Sequence, residues 1–583
     1  MAPSLPSIFR KKKGPKDIDT NDNDDHKKSW LKSLNYKLMI ALLLPVFLET
    51  LDYTVVATAQ SHIASVFNAL PLQSYIGTSY LLSSTVFLPF FASVADIYGR
   101  HFGLQVSLLL FFVGSAIGTG AMNMGMVLGG RGIAGIGAAG LLTIVRTVMS
   151  DTSSLNANNV QQSAMFLLYA VGFAVGPLLG GVLVTANFRW VFAINLPCTV
   201  AAMLLCFILL RGTVKGAKPD EELPINHSGK KSSWLTKLIL LDWIGTFLFV
   251  GGGILILLAL NWGPGDMWKT ARVIASLVIG AILFALCIVW EYVLEQRQLS
   301  SIPLSTIFCA QPMLPLEMFT SYDICTVQYG CFVSGVVMFV MFYFVAIFAT
   351  IVTGLSPSQS GVQLLYFAPG MGIGSLISIR LINHFRQPIY PIVAGSALMT
   401  AGLGLIQMAM EKNTQYLVDV FLAVTGAGVG FTAGPLVVQG RFSKPNRVAT
   451  VNALMLFFRS LGGTVGLAQC FTVMNAKVNS YTLAQIRSGT LSGETLDILT
   501  ALFQSGGLTS LQTLEGFPSE VQDIVREAFR NAVRWCFISL IPWLGIATIS
   551  SVFLSKITEP EKEKTGAEGQ PDVPEEAAQE SKS

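Results

Sequence analysis

Fourteen apolar stretches, each long enough to cross a bilayer, run through this 583-residue chain between Leu38 and Leu554. A hydrocarbon core of roughly 30 Å is matched by an α-helix of ~20 apolar residues, and a water-soluble domain has no use for so many of them. The stretches lie at 38–62, 75–95, 103–122, 126–150, 161–184, 189–210, 239–260, 271–290, 329–351, 359–380, 388–408, 417–439, 448–476 and 532–554. They predict an all-α, polytopic membrane protein with fourteen transmembrane helices.

Composition supports the same class. Charged residues make up 12% of the chain, against about 25% in ordinary soluble domains, and mean hydropathy is +0.59. The net charge of +4 is small and carries no nucleic-acid signal. The eight cysteines lie in or near apolar segments with no Cys-x-x-Cys pair, which indicates neither a disulfide framework nor a zinc site. No cleavable signal is recognisable in the polar tail 1–37, so the first span is expected to remain as a signal-anchor.

Orientation follows from Lys and Arg in the short loops. The segment 211–238 carries Arg211, Lys215, Lys218, Lys230, Lys231 and Lys237, whereas the loops at 63–74, 123–125 and 352–358 carry none. Both termini are therefore expected in the cytoplasm, and the sequon Asn226-His-Ser228 should stay unmodified. The segment 477–531 is expected as one long extracellular loop, with a helix start at Ser519 where the serine and Gln522 could form a capping box.

A weak internal repeat suggests the architecture. Span 4 reads Gly135-Ile-Gly137-Ala-Ala-Gly140 and span 12 reads Gly426-Ala-Gly428-Val-Gly430. Span 5 has a glycine ladder, Gly172, Gly176, Gly180 and Gly181 around Pro177, and span 13 has Gly462, Gly463 and Gly466. Pairing 4 with 12 and 5 with 13 makes spans 7 and 8 an insert between two parallel six-helix repeats. The expected order is a cytoplasmic tail 1–37, a bundle 38–210, a linker 211–238, two inserted helices 239–290, a connecting segment 291–328, a second bundle 329–555 and a tail 556–583. The ladder places small residues on one helical stripe, so a neighbouring backbone can approach, and Pro177 permits a kink.

Four motifs in order carry a family resemblance. Leu51-Asp52-Tyr-Thr54 lies in span 1, and Asp96-Ile-Tyr-Gly99-Arg100 joins spans 2 and 3. Arg131-Gly-Ile-Ala-Gly135 opens span 4, and the span 5 ladder is followed by Asn187-Phe-Arg189-Trp190-Val-Phe-Ala-Ile-Asn195-Leu-Pro197. Together they make the chain resemble the fourteen-helix drug/proton antiporter branch of the major facilitator superfamily, most like fungal exporters of toxins and secondary metabolites. In that family the span 5 ladder is the antiporter signature, so the resemblance implies export. The chain departs from the family pattern at Ala92, Ile97 and His101. The second-half counterpart of the Asp96 turn has Ser378 at the acid position, so only the first half carries a charged latch.

Ionisable residues inside a bilayer cost several kcal/mol unless they face a cavity or a partner. Asp52 lies deep in span 1, Glu49 one turn below it, and Arg131 at comparable depth in span 4. These three are the candidates for proton coupling. The alternatives are a static ion pair for Asp52 and Arg131, and a cavity-lining role for Glu49. Arg146, Arg189, Arg380 and Arg459 read as snorkelling or structural. A central cavity is expected between spans 1, 4, 9 and 12, with Phe339, Phe342, Tyr343 and Phe344 of span 9 as candidate substrate contacts.

Other motifs carry no chemistry. The letter-perfect dinucleotide fingerprint at Gly135 lies inside an apolar span with no strand before it. The basic run Arg10 to Lys16 could touch anionic lipid. The five histidines lack metal-ligand spacing. The expectation is a transporter and not an enzyme: a secondary active exporter of an amphipathic organic compound, driven by the proton gradient without a cofactor. Its expected partners are a small organic substrate, protons and the lipid bilayer, with no nucleic acid and a monomeric state. The plasma membrane is the expected site, a vacuolar or vesicular membrane the alternative. Uptake of a nutrient or siderophore remains open, as does a non-transporting receptor or scaffold.

Overall fold

The computed structural model describes residues 36–69, 72–151, part of the positions between 165 and 183, 187–214, 216, 234–265, 268–299, 306–355, 357–488, 493–504 and 517–557. The sequon at Asn226, Pro177, Gly181, Gly506-Gly507 and most of both tails lie outside the described residues. Those described form helices and no strand, with one isolated bridge between Leu241 and Gln311.

The first six helices are α1 (Tyr36–Val66), α2, a bent pair (Gln73–Val86 and Leu88–Tyr98), α3 (Arg100–Thr119), α4 (Met124–Ser150), α5 at the described positions of 165–183, and α6 (Arg189–Leu210). Two further helices, α7 (Trp243–Trp262) and α8 (Ala271–Leu299), precede α9 (Tyr322–Ile347), α10 (Phe367–Phe385), α11 (Ile389–Glu411), α12 (Gln415–Ser443), α13 (Val448–Ser488) and α14 (Ser519–Val552). Among the described residues twelve helices are long and apolar enough to cross a membrane, and the bent α2 makes a thirteenth. The described helical positions of α5 fall within the fifth expected span.

Glycines set the packing. A Cβ on Gly135 of α4 would strike Tyr80 and Ser83 of α2, and one on Gly137 would meet Ser107 and Phe111 of α3. In α12, Gly426 and Gly430 press on Phe367 and Met371 of α10, while Gly428 presses on Gly395 and Met399 of α11. Thus α4 wedges between α2 and α3 as α12 wedges between α10 and α11, each held where only a residue without a side chain admits the neighbouring backbone. The same offset of eight helices relates both wedges, as a parallel repeat requires.

The inserted pair stands outside this arrangement. α8 exposes most of its apolar surface, with 17% of its apolar stretch buried, as a lipid-facing helix would. At the α7–α8 turn, Trp262 Nε1 donates to Tyr75 Oη of α2 at 2.7 Å, and Trp268 Nε1 donates to Thr472 Oγ1 of α13 at 3.0 Å. The turn therefore bonds to both sets of six helices.

Two expectations need correction. The segment 477–531 is helical over much of its described length: α13 runs on to Ser488, a helix spans Gly493–Gln504, and α14 begins at Ser519. Leu499, Val521 and Val525 form a small core there with Ile351 beside it, so apolar burial replaces the expected loop. The helix start at Ser519 is present, but its N-cap is Pro518 and no side chain caps it; Gln522 Nε2 instead donates to Phe517 O at 2.9 Å.

The end of the bundle where α1 begins and α14 ends is sealed. One continuous core there joins Leu38, Phe91, Val148 and Met149 to Val327, Leu436, Leu454 and Leu554. Toward the other end the cores separate: Val55, Ile63 and Phe192 cluster only with first-half residues, and Val336, Phe344 and Phe537 only with second-half residues. A cavity lies between.

Candidate functional site

The cavity is built from both halves. Its first-half wall consists of Glu49, Thr50 and Tyr53 of α1, Leu142 and Arg146 of α4, and Tyr169 of α5. The facing wall is Met338 and Phe339 of α9, Met371 of α10, and Leu456, Arg459 and Ser460 of α13. Its cavity volume is about 110 Å³, within a recess of about 660 Å³ when the open mouth is included.

This wall differs from the expected one. No α12 residue lines the cavity, because α12 is enclosed by α10 and α11 through its glycines; α5, α10 and α13 contribute instead. Of the four aromatic candidates on α9, Phe339 stands in the cavity wall. Phe342 lies edge-on to Phe367 at 5.3 Å and Phe344 is buried against Phe471 at 5.0 Å, while Tyr343, one helical turn from Phe339, is 48% exposed and lies within electrostatic reach of the cavity's Tyr53. At about 100° per residue Phe339 and Tyr343 share one face of the helix, whereas Phe344 points away from it.

Arg146 and Arg459 also require correction. Neither reaches for a membrane surface: both line the cavity, one from each half. Arg459 stands 11 residues into α13, counted from Val448, roughly 16 Å at about 1.5 Å per residue and so about half the depth of the hydrocarbon core. That depth was available in the sequence as a signal. Its Nη2 donates to Met338 Sδ at 2.9 Å, and the Arg146 guanidinium lies 6.0 Å from the Tyr169 ring centre.

Asp52 and Arg131 form a second cluster beside the cavity. Arg131 Nη1 meets Asp52 Oδ2 at 2.5 Å, and both side chains are almost fully buried. Asn195 Nδ2 of α6 donates to Asp52 Oδ1 at 2.6 Å. The guanidinium also lies 4.1 Å over the Tyr80 ring and donates from Nε to Ile76 O at 3.4 Å. Both carboxylate oxygens are thus bonded, and α1, α2, α4 and α6 converge on one charge pair. Asn195 and Tyr80 had not been singled out as partners. Glu49, one turn away, is only half-buried; its Oε2 accepts a long bond from Thr50 Oγ1 at 3.4 Å and it opens on the cavity.

The glycine ladder packs α5 on α1. Gly172 abuts Thr50 and Gly176 abuts Thr54, while Gly180 is buried. On the other side, Gly462 receives the backbone of Phe332, Gly463 receives the ring of Phe339, and Gly466 receives Val336, which seats α13 against α9. At the sealed end Gly99 has φ +93°, a conformation costly for other residues, and it turns α2 into α3. There Arg100 Nη1 pairs with Asp96 Oδ1 at 2.5 Å, and its Nε reaches Asp151 Oδ2 at 3.4 Å, a partner the sequence reading omitted.

Residues 42–467 match the family model described as Major Facilitator Superfamily. An efflux pump, dotC, of Dothistroma septosporum is 27% identical over 89% of this chain and 84% of its own length. The acurin A biosynthesis cluster MFS-type transporter of Aspergillus aculeatus is 29% identical over 87% of this chain and 85% of its own. Among solved structures, the proton:xylose symporter XylE bound to 6-bromo-6-deoxy-D-glucose superposes with a TM-score of 0.52 at 12% identity, over 90% of this chain and 96% of that one. That level of identity speaks to the fold alone.

Proposed function

The chain belongs to the Major Facilitator Superfamily, and we propose that this membrane transporter is a proton-coupled exporter of an amphipathic, ring-bearing organic compound such as a secondary metabolite, toxin or drug. The observation that carries the reading is a cavity walled by both halves, sealed at the end of the termini, with a buried carboxylate–arginine pair beside it. Relatives named as an efflux pump and a biosynthesis-cluster transporter support the direction.

In this reading the bundles 38–210 and 329–555 rock about the cavity, as parallel repeats permit. The termini and the sealed end are cytoplasmic, so the structure corresponds to the state that releases substrate outward from a monomer in the plasma membrane. Asp52 takes up a proton from the outer side. Its neutral form no longer holds Arg131 by charge, which loosens the junction of α1, α2, α4 and α6 and favours the opposite state. Substrate loading from the inside then accompanies release of that proton to the cytoplasm. Energy comes from the proton gradient and no cofactor takes part.

Deleting the gene in its host should raise intracellular retention or toxicity of at least one organic compound. Unchanged efflux together with reduced uptake across a broad panel overturns export.

A further inference from the structure

Two buried acids at the sealed end play no part in the cycle above. Asp242 caps the start of α7 and Glu291 lies in α8, and they are 3% and 0% exposed. The donors around them all fall on one oxygen of each. Asp242 Oδ1 accepts Gly245 N at 2.8 Å and Trp290 Nε1 at 2.9 Å, and Glu291 Oε1 accepts the amides of Met313 and Leu314. Asp242 Oδ2 and Glu291 Oε2 are buried with no donor on either. The two carboxyl groups are in hydrogen-bonding contact with each other. Asp242 Oδ2 and Glu291 Oε1 both lie within 3.2 Å of the point that a Cβ on Gly245 would occupy.

Two ionised carboxylates offer acceptors only and repel at such range, so the contact requires a proton between them. Among the described residues no lysine or arginine forms an ion pair with either acid. The other titratable groups facing the pair, Cys287 and Glu295 of α8, bring no positive charge. The N-terminus of α7 favours the charge on Asp242, which leaves the proton on Glu291. The carbonyl oxygen of Glu291 then takes the two amides while its hydroxyl donates to Asp242 Oδ2, and both bare oxygens are satisfied.

We propose that Asp242 and Glu291 form a proton-binding site, a shared-proton pair that latches the connecting segment onto α7 and α8 and so holds the sealed end shut. Met313 and Leu314, whose amides Glu291 holds, belong to the core that closes that end. Loss of the proton leaves two adjoining charges in a dry site; Glu291 withdraws toward water and the two amides lose their acceptor. The latch is therefore present at low pH and lost as pH rises. It is separate from Asp52 and Arg131 and independent of the direction of transport.

The test uses the purified full-length chain in lipid nanodiscs. At about neutral pH, where an ordinary glutamate is ionised, the infrared difference between the parent chain and Glu291→Gln should show the carbonyl band of a protonated carboxylic acid in the parent. Hydrogen-exchange protection of residues 311–316, corrected for the intrinsic pH dependence of exchange, should fall at least about tenfold between about pH 6 and about pH 10, beyond the range buried glutamates reach. Glu291→Gln, whose amide donates to Asp242 at any pH and still accepts from the backbone, should keep its protection at high pH, a gain that misfolding does not produce. Asp242→Asn supplies the donor from the other side and should do the same. Absence of the acid band, an equal fall of protection in the parent and both variants, or protection at high pH restored by sodium and not by choline, which would make the pair a cation site, overturns the proposal.

Discussion

Gly176 of α5 stands against Thr54 of α1 so closely that a Cβ on the glycine would overlap the threonine Oγ1. That hydroxyl is itself committed, donating to Thr50 O at 2.8 Å and to Leu51 O at 3.2 Å, so it has no free rotation with which to yield. Overpacking of this kind costs ~1–3 kcal/mol. Gly176→Ala should therefore cut transport about tenfold per folded molecule, by biasing the helix 1–5 contact toward one state, and Gly176→Leu should abolish it while the protein still reaches the membrane. Gly129 of α4 faces open space, and Gly129→Ala should be silent. Normal transport by Gly176→Leu would show that the contact is dispensable.

Gly463 of α13 makes room for a cavity wall. A Cβ there would come within 2.5 Å of the Phe339 ring, so Gly463→Ala must push that ring toward the substrate space. Binding of bulky ring-bearing compounds should weaken by roughly fivefold to tenfold, the scale of one aromatic contact. Small ring-free competitors should be spared, and dose–response curves for the two classes separate the outcomes.

Glu291 anchors the connecting segment to the inserted helices from within α8. Its side chain is buried and Oε1 accepts the backbone amides of Met313 at 3.1 Å and Leu314 at 3.0 Å. Glu291→Ala leaves both amides without a partner, at roughly 1–3 kcal/mol each, and should lower the thermal unfolding midpoint in detergent by several degrees. Glu291→Gln keeps an acceptor oxygen and should recover most of the loss. Equal midpoints for the alanine variant and the parent chain would remove the anchor role.

The membrane class, the span order and the wedge helices were legible because lipid imposes length and apolarity, and because closely packed helices need glycine where backbones touch. Asp52 and Arg131 stood out for the same reason, being charges in apolar runs. Facing was harder. Depth along a helix does not fix which neighbour a side chain meets, so α12 was given a wall that α13 supplies; Arg459 was read as a helix-end residue although its depth in α13 was legible. Glu291 was missed because a charge at the end of span 8 resembles the start of a loop; the return of residues 313–314 onto α8 gives that carboxylate its backbone partners.

The coupling assignment turns on Asp52. Asp52→Asn mimics its protonated form but strands Arg131, and breaking a buried pair from one side costs ~3–5 kcal/mol. Lower yield of the single variant is therefore expected under either role, and the double variant Asp52→Asn with Arg131→Gln separates them. If the pair is only structural, removing both charges should restore folding and leave the recovered molecules coupled. If Asp52 carries the proton, the double variant should fold and still bind substrate, yet transport driven by an imposed pH gradient in proteoliposomes should fall to background. Facilitated exchange of substrate down its own gradient should persist, because rocking without a titrating carboxylate still moves the cavity between its two faces. Full pH-driven accumulation by the folded double variant would falsify the assignment and move it to Glu49, the carboxylate that opens on the cavity; Glu49→Gln in the same vesicles then decides.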